Sequence, residues 1–532
     1  MMNRTLFTLL LCLMTSLAGT RSQAADTPDS LKDRNISVDL EKIQGPLDTM
    51  FKQCVGAGRA NEGLRADWQR QLAFAHKECG FHDIRMHGIF CDDMGVYKED
   101  AKGNPQYNWQ YIDELYDFLV RIGMKPFVEL GFMPNAMASG TKTIFWWRGN
   151  VTPPKEMAKW SNFITAFVQH LRERYGDAEV RTWYFEVWNE PNLDGFWTGT
   201  QQQYFDLYQA TARAIKSVSP DYKVGGPSTA GCSWIPEFIN FCAKNSAPLD
   251  FISTHAYAVD QGYLDVAGTA STLLSPDPKS ISGDAIRVRK QIADSPMPKL
   301  ELHFTEWSSS YTPFDPMHDS YHSASFIVDR LKHCGDAAQS MSYWTFTDVF
   351  EESAPRWTPF HGGFGLMNYQ DICKPSFFAY QFLNRLGATE LKTNDPDSWI
   401  TTSPDGGVQA LVWNFTYTHP GKKINNQNFY NHDLPSSPKD KVTINLAHLS
   451  EGTYTLEVFK VGYRANDAYT AYLSMGAPNQ LTKAQVAELK AVSTGAPLSS
   501  SEVKIGKDGT FKQEFVLRDN DLVLVTLTPK HG

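Results

Sequence analysis

Arg181-Thr-Trp-Tyr-Phe-Glu-Val-Trp-Asn-Glu-Pro-Asn-Leu193 is the stretch on which the reading of this chain turns. Its first half is aromatic and β-branched without a breaker, the pattern of a buried strand. Its second half, Asn189-Glu190-Pro191-Asn192, ends that strand, because proline has no N–H for a ladder and biases the preceding residue to extended backbone. Glu190 is therefore expected at a strand's C-terminal tip, beside the Asn189 amide and under Trp188. Among apolar rings the charged form of a carboxyl group is disfavoured and its pKa rises. That is what a general acid working near neutral pH requires. An ordinary polar turn would hold the same residues, so the reading depends on the other strand ends.

Outward from this stretch the same rhythm repeats. Short apolar strands near 51–56, 82–89, 125–131, 181–189, 222–226, 250–256, 300–307 and 340–346 alternate with helical patterns. The helices fall near 65–79, 109–123, 155–175, 200–218, 234–245, 281–293, 320–335 and 376–386. Eight strands, each followed by a helix, predict an α/β fold, a closed parallel (β/α)8 TIM barrel spanning 48–387. No Gly-rich dinucleotide or phosphate loop follows a strand, so no nucleotide cofactor is expected. Past residue 388 the pattern becomes all-β, with strands at 399–402, 408–415, 442–446, 453–459, 511–517 and 522–528. A capping box at Thr482–Gln485 opens one helix there, and 420–440 reads as a loop. Residues 388–532 are thus expected to form an accessory β-sandwich, joined by a strand from the segment 25–47 that carries Ile36–Leu40.

The first 24 residues read as a secretory signal peptide: a basic start, an apolar run from Thr5 to Gly19, and a small-x-small site at Ser22-Gln-Ala24. The expected location is secreted or periplasmic, and no later segment is apolar enough to span a membrane. Net charge is −9 and no Lys/Arg-rich run stands out, so no nucleic-acid partner is expected. Of eight cysteines, one (Cys12) falls in the leader; no Cys-x-x-Cys spacing points to a metal, and Cys232 with Cys242 is a candidate disulfide. Asn35, Asn150 and Asn414 head glycosylation sequons, relevant only in a eukaryotic host.

A second carboxylate supplies the counterpart to Glu190. The seventh strand reads Leu300-Glu-Leu-His-Phe-Thr-Glu-Trp-Ser-Ser-Ser-Tyr311, with Glu306 at its polar end and Tyr311 beyond it. Two glutamates at the tips of strands four and seven match the two-carboxylate plan of glycoside hydrolysis. The remaining strand ends supply His87, His255 and Tyr257, Trp344 as a platform for a sugar ring, and Glu351 and Glu352 as acceptors for sugar hydroxyls. Glu129, inside strand three, is expected to serve behind the site.

Phe185-Glu-Val-Trp-Asn-Glu-Pro-Asn-Leu193 resembles the acid/base signature of glycoside hydrolase family 39, whose members include β-xylosidases and α-L-iduronidases. The resemblance extends through Arg59–Leu64, Arg85-Met-His-Gly88, Asp92–Tyr97, Phe127–Pro134, Ser253–Tyr257, Thr305-Glu-Trp307, Ser342–Asp348, Pro359–Gly365 and Lys374-Pro375. Val461–Tyr469 is similar to the bacterial xylosidase branch, although Met86 stands where Phe is expected. The resemblance implies Glu190 as acid/base, Glu306 as nucleophile and Asn189 as the amide that bonds a sugar 2-hydroxyl. It further implies sugar contacts for His87, His255, Tyr257, Trp344 and one of Glu351 or Glu352. The expected activity is a retaining exo-β-xylosidase acting on xylo-oligosaccharides without a cofactor. Two alternatives stay open: the same machinery on another sugar (α-L-arabinoside, α-L-iduronide, β-glucoside), and a non-catalytic glycan-binding barrel. The sequence assigns no oligomeric state.

Overall fold

A computed structural model describes residues 31–262 and 271–530; the expected leader lies outside them. The barrel strands are β1 (Cys54–Arg59), β2 (Asp83–His87), β3 (Lys125–Leu130), β4 (Tyr184–Val187), β5 (Lys223–Thr229), β6 (Phe251–Tyr257), β7 (Glu301–Ser308) and β8 (Ser340–Tyr343). They pair in parallel in chain order, and Tyr343 of β8 pairs with Val55 of β1 to close the ring. The helices lie within a residue or two of the expected ranges, as Ala66–Cys79, Gln110–Ile122 and Met157–Tyr175 illustrate.

Strand side chains alternate between the barrel interior and the helix layer, which fills the interior in tiers. The lowest tier is aromatic: Phe127 lies 5.0 Å from Tyr184 and 5.5 Å from Phe251, and His303 lies 4.7 Å from Tyr184. Two residues further along β2, β3 and β4 the inward positions are Arg85, Glu129 and Glu186, all fully buried. A charged tier inside a barrel is costly unless every group is paired, and here each one is.

The C-terminal region is β-rich, and its strands form one nine-stranded hydrogen-bonded order. The N-terminal strand Lys32–Pro46 sits inside that order. Its first part pairs in parallel with Pro438–Ala447, and after a register shift near residues 38–43 its last part pairs antiparallel with Thr389–Thr393. A strand that bends this way carries a sheet round a corner, so both arms enclose one core of Ile36, Ile400, Val412, Ile444, Leu517 and Val525. The opposite face, with Trp399, Trp413, Phe459 and Leu524, packs into the barrel's core. Thr389–Thr393, Ser499–Ile505 and the helix Ala468–Ser474 had not been expected as elements. The two strands are polar, TELKT and SSSEVKI, and carry little of the apolar alternation that marks a strand.

The loop expected over 420–440 contains a helical turn at Asn426–Phe429 that reaches the barrel. Asn426 donates to Asp315 at 2.7 Å, and its side-chain oxygen accepts from the Leu274 N–H at 2.9 Å. Cys232 and Cys242 do not pair, and all seven described cysteines are free thiols. Cys232 faces the His255 carbonyl at 3.6 Å, while Cys242 is buried in the helix Ile235–Asn245. Asn150 and Asn414 are buried with their amides donating to protein oxygens, which leaves no room for a glycan on either.

Candidate active site

The barrel's C-terminal mouth opens into a cavity of about 680 Å³. His87, Asn189, Glu190, Tyr257, Glu306, Tyr311, Trp344 and Glu352 all line it. Phe145, Leu193, Phe196, Val259 and Asp260 form much of the remaining wall, and no described lining residue is Lys or Arg.

The β4 stretch departs from its expected shape at the point that matters. Regular strand ends at Val187, and both Trp188 (φ 72°) and Glu190 (φ 43°) take left-handed backbone. The extended geometry expected before Pro191 is therefore corrected. Non-glycine residues hold such conformations only where their surroundings fix them. Here the Glu190 N–H donates to the Ser228 carbonyl at 2.8 Å, the Glu190 carbonyl accepts from the Leu193 N–H at 3.0 Å, and the Trp188 indole N–H donates to the Phe196 carbonyl at 2.8 Å. The turn breaks the strand's alternation and delivers Asn189 and Glu190 to the cavity together.

Glu306 arrives by a different device. In β7 the pairing with β6 runs Phe304 to Thr254 and then Glu306 to His255, so Thr305 is an extra residue. A bulge of this kind lets two successive side chains point inward. Thr305 donates to Glu186 at 2.8 Å, and Glu306 reaches the cavity.

Arg85 ties these groups into one network. Its guanidinium donates to Glu186 at 2.6 Å, Glu306 at 2.6 Å, Asn189 at 2.8 Å and Ser228 at 3.2 Å, and pairs with Glu129 at 2.9 Å. Burial works against its charge, but Glu186, Glu129 and Glu306 outweigh that and keep it protonated. Burial alone would likewise raise Glu186, yet Arg85 holds its carboxyl below the usual range. Because Asn189 Oδ1 accepts from Arg85, the amide's orientation is set and its NH2 is the donor left for the cavity.

The two cavity glutamates end in opposite environments. Both oxygens of Glu306 accept hydrogen bonds, one from Arg85 and one from the Tyr257 hydroxyl at 2.7 Å. Glu190 has no guanidinium on it: its Oε1 lies 2.9 Å from Nδ1 of His255. Burial pushes Glu190 up to about 7, against the pull of nearby positive groups. Burial also lowers His255 to about 4, so the ring beside Glu190 is neutral at pH 7. One oxygen of Glu190, one of Glu306 and a ring nitrogen of His255 all lie within 4.8 Å of one another. This trio is also the buried group here best placed to gather round a cation, although Arg85 already gives Glu306 a fixed positive charge.

The remaining expected residues divide. His87 lies 4.7 Å from Trp344 ring to ring, with its Nδ1 2.6 Å from Glu129, which does stand behind the cavity. His255 is fully buried and meets the carboxylates rather than the open space. Trp344 is backed by Phe350 and Phe364. Glu352 faces the cavity, and burial together with Glu306 raises it well above the ordinary range. Glu351 is not part of the lining. Arg59 and Arg65 take its two oxygens at 3.0 and 2.8 Å, and the buried Glu62 accepts from its N–H. Sequence reasoning did not single out Arg85, Glu186, Phe145 or Phe196. For Arg85 a signal existed, since Arg85 and His87 are both polar at inward positions of one strand.

A family model described as glycosyl hydrolases family 39 matches residues 34–511. A β-xylosidase of Caldicellulosiruptor saccharolyticus is 41% identical over 468 residues, covering 86% of this chain and 91% of that protein. A β-xylosidase of Geobacillus stearothermophilus is 45% identical over 371 residues, 68% of this chain and 73% of its own length. The crystal structure of a monomeric β-xylosidase from Caulobacter crescentus CB15 superposes with a TM-score of 0.90 at 45% identity, covering 94% of this chain and all of that one. Two buried glutamates at opposed strand tips, a closed eight-stranded barrel and a match across nearly the whole described chain converge: this chain belongs to glycosyl hydrolase family 39 and is a glycoside hydrolase.

Proposed function

We propose that the chain is a retaining exo-β-xylosidase that releases xylose from the non-reducing end of xylo-oligosaccharides. The observation that carries the reading is that one carboxylate oxygen of Glu190 lies within 4.8 Å of one of Glu306. Retaining enzymes place their carboxyl groups about 5–5.5 Å apart and inverting ones about 6.5–9.5 Å, to leave room for a water. The relatives at 41–45% identity carry the name β-xylosidase, which supports the choice of sugar. The cavity lining, acidic and without a described Lys or Arg, supports a neutral sugar over a uronate.

Glu306 attacks the anomeric carbon while Glu190 gives its proton to the departing glycosidic oxygen. The C–O bond to the leaving sugar breaks as the bond to Glu306 forms, and its electron pair takes up the Glu190 proton. Glu190 then removes a proton from water, which attacks the same carbon and expels Glu306 as carboxylate. Arg85 and Tyr257 hold Glu306 in place for attack and receive it again when it leaves. Asn189 offers its NH2 to the sugar's 2-hydroxyl, and His87, Glu352 and Trp344 contact the ring.

A panel of chromogenic β-D-xylosides, α-L-arabinosides, β-D-glucosides and α-L-iduronides, with the product anomer followed by NMR, tests this. β-Xylose formed first from the β-xyloside supports the reading; dominant turnover of another sugar, or α-xylose formed first, refutes it. We further propose that residues 1–24 direct export and are removed. N-terminal sequencing of the mature protein tests that, and an intact Met1 in exported protein would refute it.

A further inference from the structure

The cavity is several times larger than one pentose ring, and its walls are not alike. The carboxylates, His87, Asn189 and Tyr257 sit at the strand tips, whereas Phe145, Leu193 and Phe196 make an apolar wall from the loops after β3 and β4. Phe145 lies at the tip of a hairpin in which Thr143–Ile144 pairs with Gly149–Asn150. That tip reads Phe145-Trp-Trp-Arg148, and each aromatic side chain has a different setting. Phe145 faces the cavity, 5.5 Å from Phe196 ring to ring. Trp147 packs inward, 6.0 Å from Phe132, with the Arg59 guanidinium 5.3 Å from its centroid. Trp146 is left 56% exposed.

A single exposed tryptophan would by itself need no explanation. This one stands on a fixed support. Its backbone N–H donates to the carbonyl of Glu352, itself a cavity residue, at 2.8 Å, and the Arg148 N–H closes the tip on the Phe145 carbonyl at 3.1 Å. An exposed indole that follows cavity-facing Phe145 in sequence, on a backbone hydrogen-bonded to the cavity residue Glu352, suits a ring that presents C–H bonds on its flat faces. A xylosyl unit, with no hydroxymethyl arm, presents such faces on both sides.

We infer that Phe145, Leu193 and Phe196, continued outward by Trp146, form the binding track for xylosyl units on the leaving side of the cleaved bond. Trp146 meets a unit beyond the first leaving sugar. This inference rests on the proposed xylosidase reading and adds to it a preference for longer chains.

The test compares wild type, Trp146→Ala and Trp146→Phe on an aryl β-xyloside, xylobiose, xylotriose and xylotetraose. A lost aromatic contact is worth about three- to tenfold. With Trp146→Ala, the ratio of kcat/KM for xylotetraose to that for the aryl xyloside should fall by that factor, through KM. Trp146→Phe should restore most of the ratio. An equal fall on every substrate would mean that Trp146 acts through the hairpin's shape, and an unaltered ratio would mean that it meets no sugar; either result overturns the inference while the xylosidase reading stands. Failure of the wild-type enzyme to cleave any of the four would instead remove the xylosidase reading, and this inference with it.

Discussion

Arg85 and Lys374, two fully buried cations, organise this barrel in different ways. Arg85 spreads its guanidinium over three carboxylates, an amide and a hydroxyl, and two of those partners, Glu306 and Asn189, continue into the cavity. Lys374 sits just before the helix Pro375–Asn384, equally buried, with its ammonium 2.6 Å from Asp319 and 2.5 Å from Asp348. Those aspartates spend their other oxygens on backbone amides, Gly362 at 2.6 Å and Gly365 at 2.7 Å. The Lys374 cluster therefore ends in the protein, tying the loops after β7 and β8 to the segment that carries Phe364. The Arg85 cluster ends at a substrate. A planar fork suits the divided task and a compact point charge suits the closed one.

The comparison breaks most visibly at Glu306. Glu306→Gln keeps the shape and removes the attacking charge, so kcat should fall by at least about four orders of magnitude, as when other catalytic nucleophiles are removed. Mass spectrometry with a slow fluorinated xyloside should show no covalent sugar on the variant and one equivalent on the wild type. A trapped adduct on Glu306→Gln would end the assignment of Glu306 as nucleophile.

Lys374→Met tests the closed cluster. Removing one partner of a buried ion pair strands the other charges and costs about 3–5 kcal/mol. Denaturant unfolding should show that loss, while the protein still folded at low temperature keeps the wild-type pH–rate profile. A changed profile would show that Lys374 reaches the chemistry, and the contrast between the two cations would fail.

The barrel was legible in the sequence because its strands are short, apolar and regularly spaced, and Glu190 and Glu306 were legible because each interrupts such a strand at its polar end. What escaped was set by contacts across the fold. Glu351 and Glu352 are neighbours of identical type, and only Arg59 at the end of β1 and Arg65 in the loop after it decide that Glu352 faces the cavity. The left-handed turn at Glu190 escaped because its cause is the carbonyl of Ser228 on the adjacent strand. Arg85 escaped because a lone arginine in a strand usually faces solvent, and its carboxylates lie on three other strands.

Arg85→Lys sharpens the difference at smaller scale. Lysine keeps the charge but cannot fork to Glu186, Glu306 and Asn189 at once. kcat should drop about a hundredfold on a substrate with a poor leaving group, with a shifted pH–rate profile that a purely structural loss would not produce. An unchanged profile with reduced stability alone would place Arg85 in the same class as Lys374.

The effect at Glu190 is the most diagnostic, because it opposes the usual direction of a mutation. Burial raises the Glu190 pKa from 4.5 to about 7, so the folded state holds this proton more tightly than the unfolded chain does. The stability gained from that proton is complete below about pH 4.5 and is lost as pH rises through about 7. The same deprotonation removes the general acid, so wild-type kcat/KM should fall above about pH 7. Glu190→Gln has no proton to lose. Compared by denaturant unfolding at pH 4 and pH 8, it should gain on the wild type by up to about 3 kcal/mol at the higher pH while being far less active at both. Stability curves that run parallel with pH would mean that Glu190 is not held protonated by its surroundings, and the division of labour between the two glutamates would lose its physical basis.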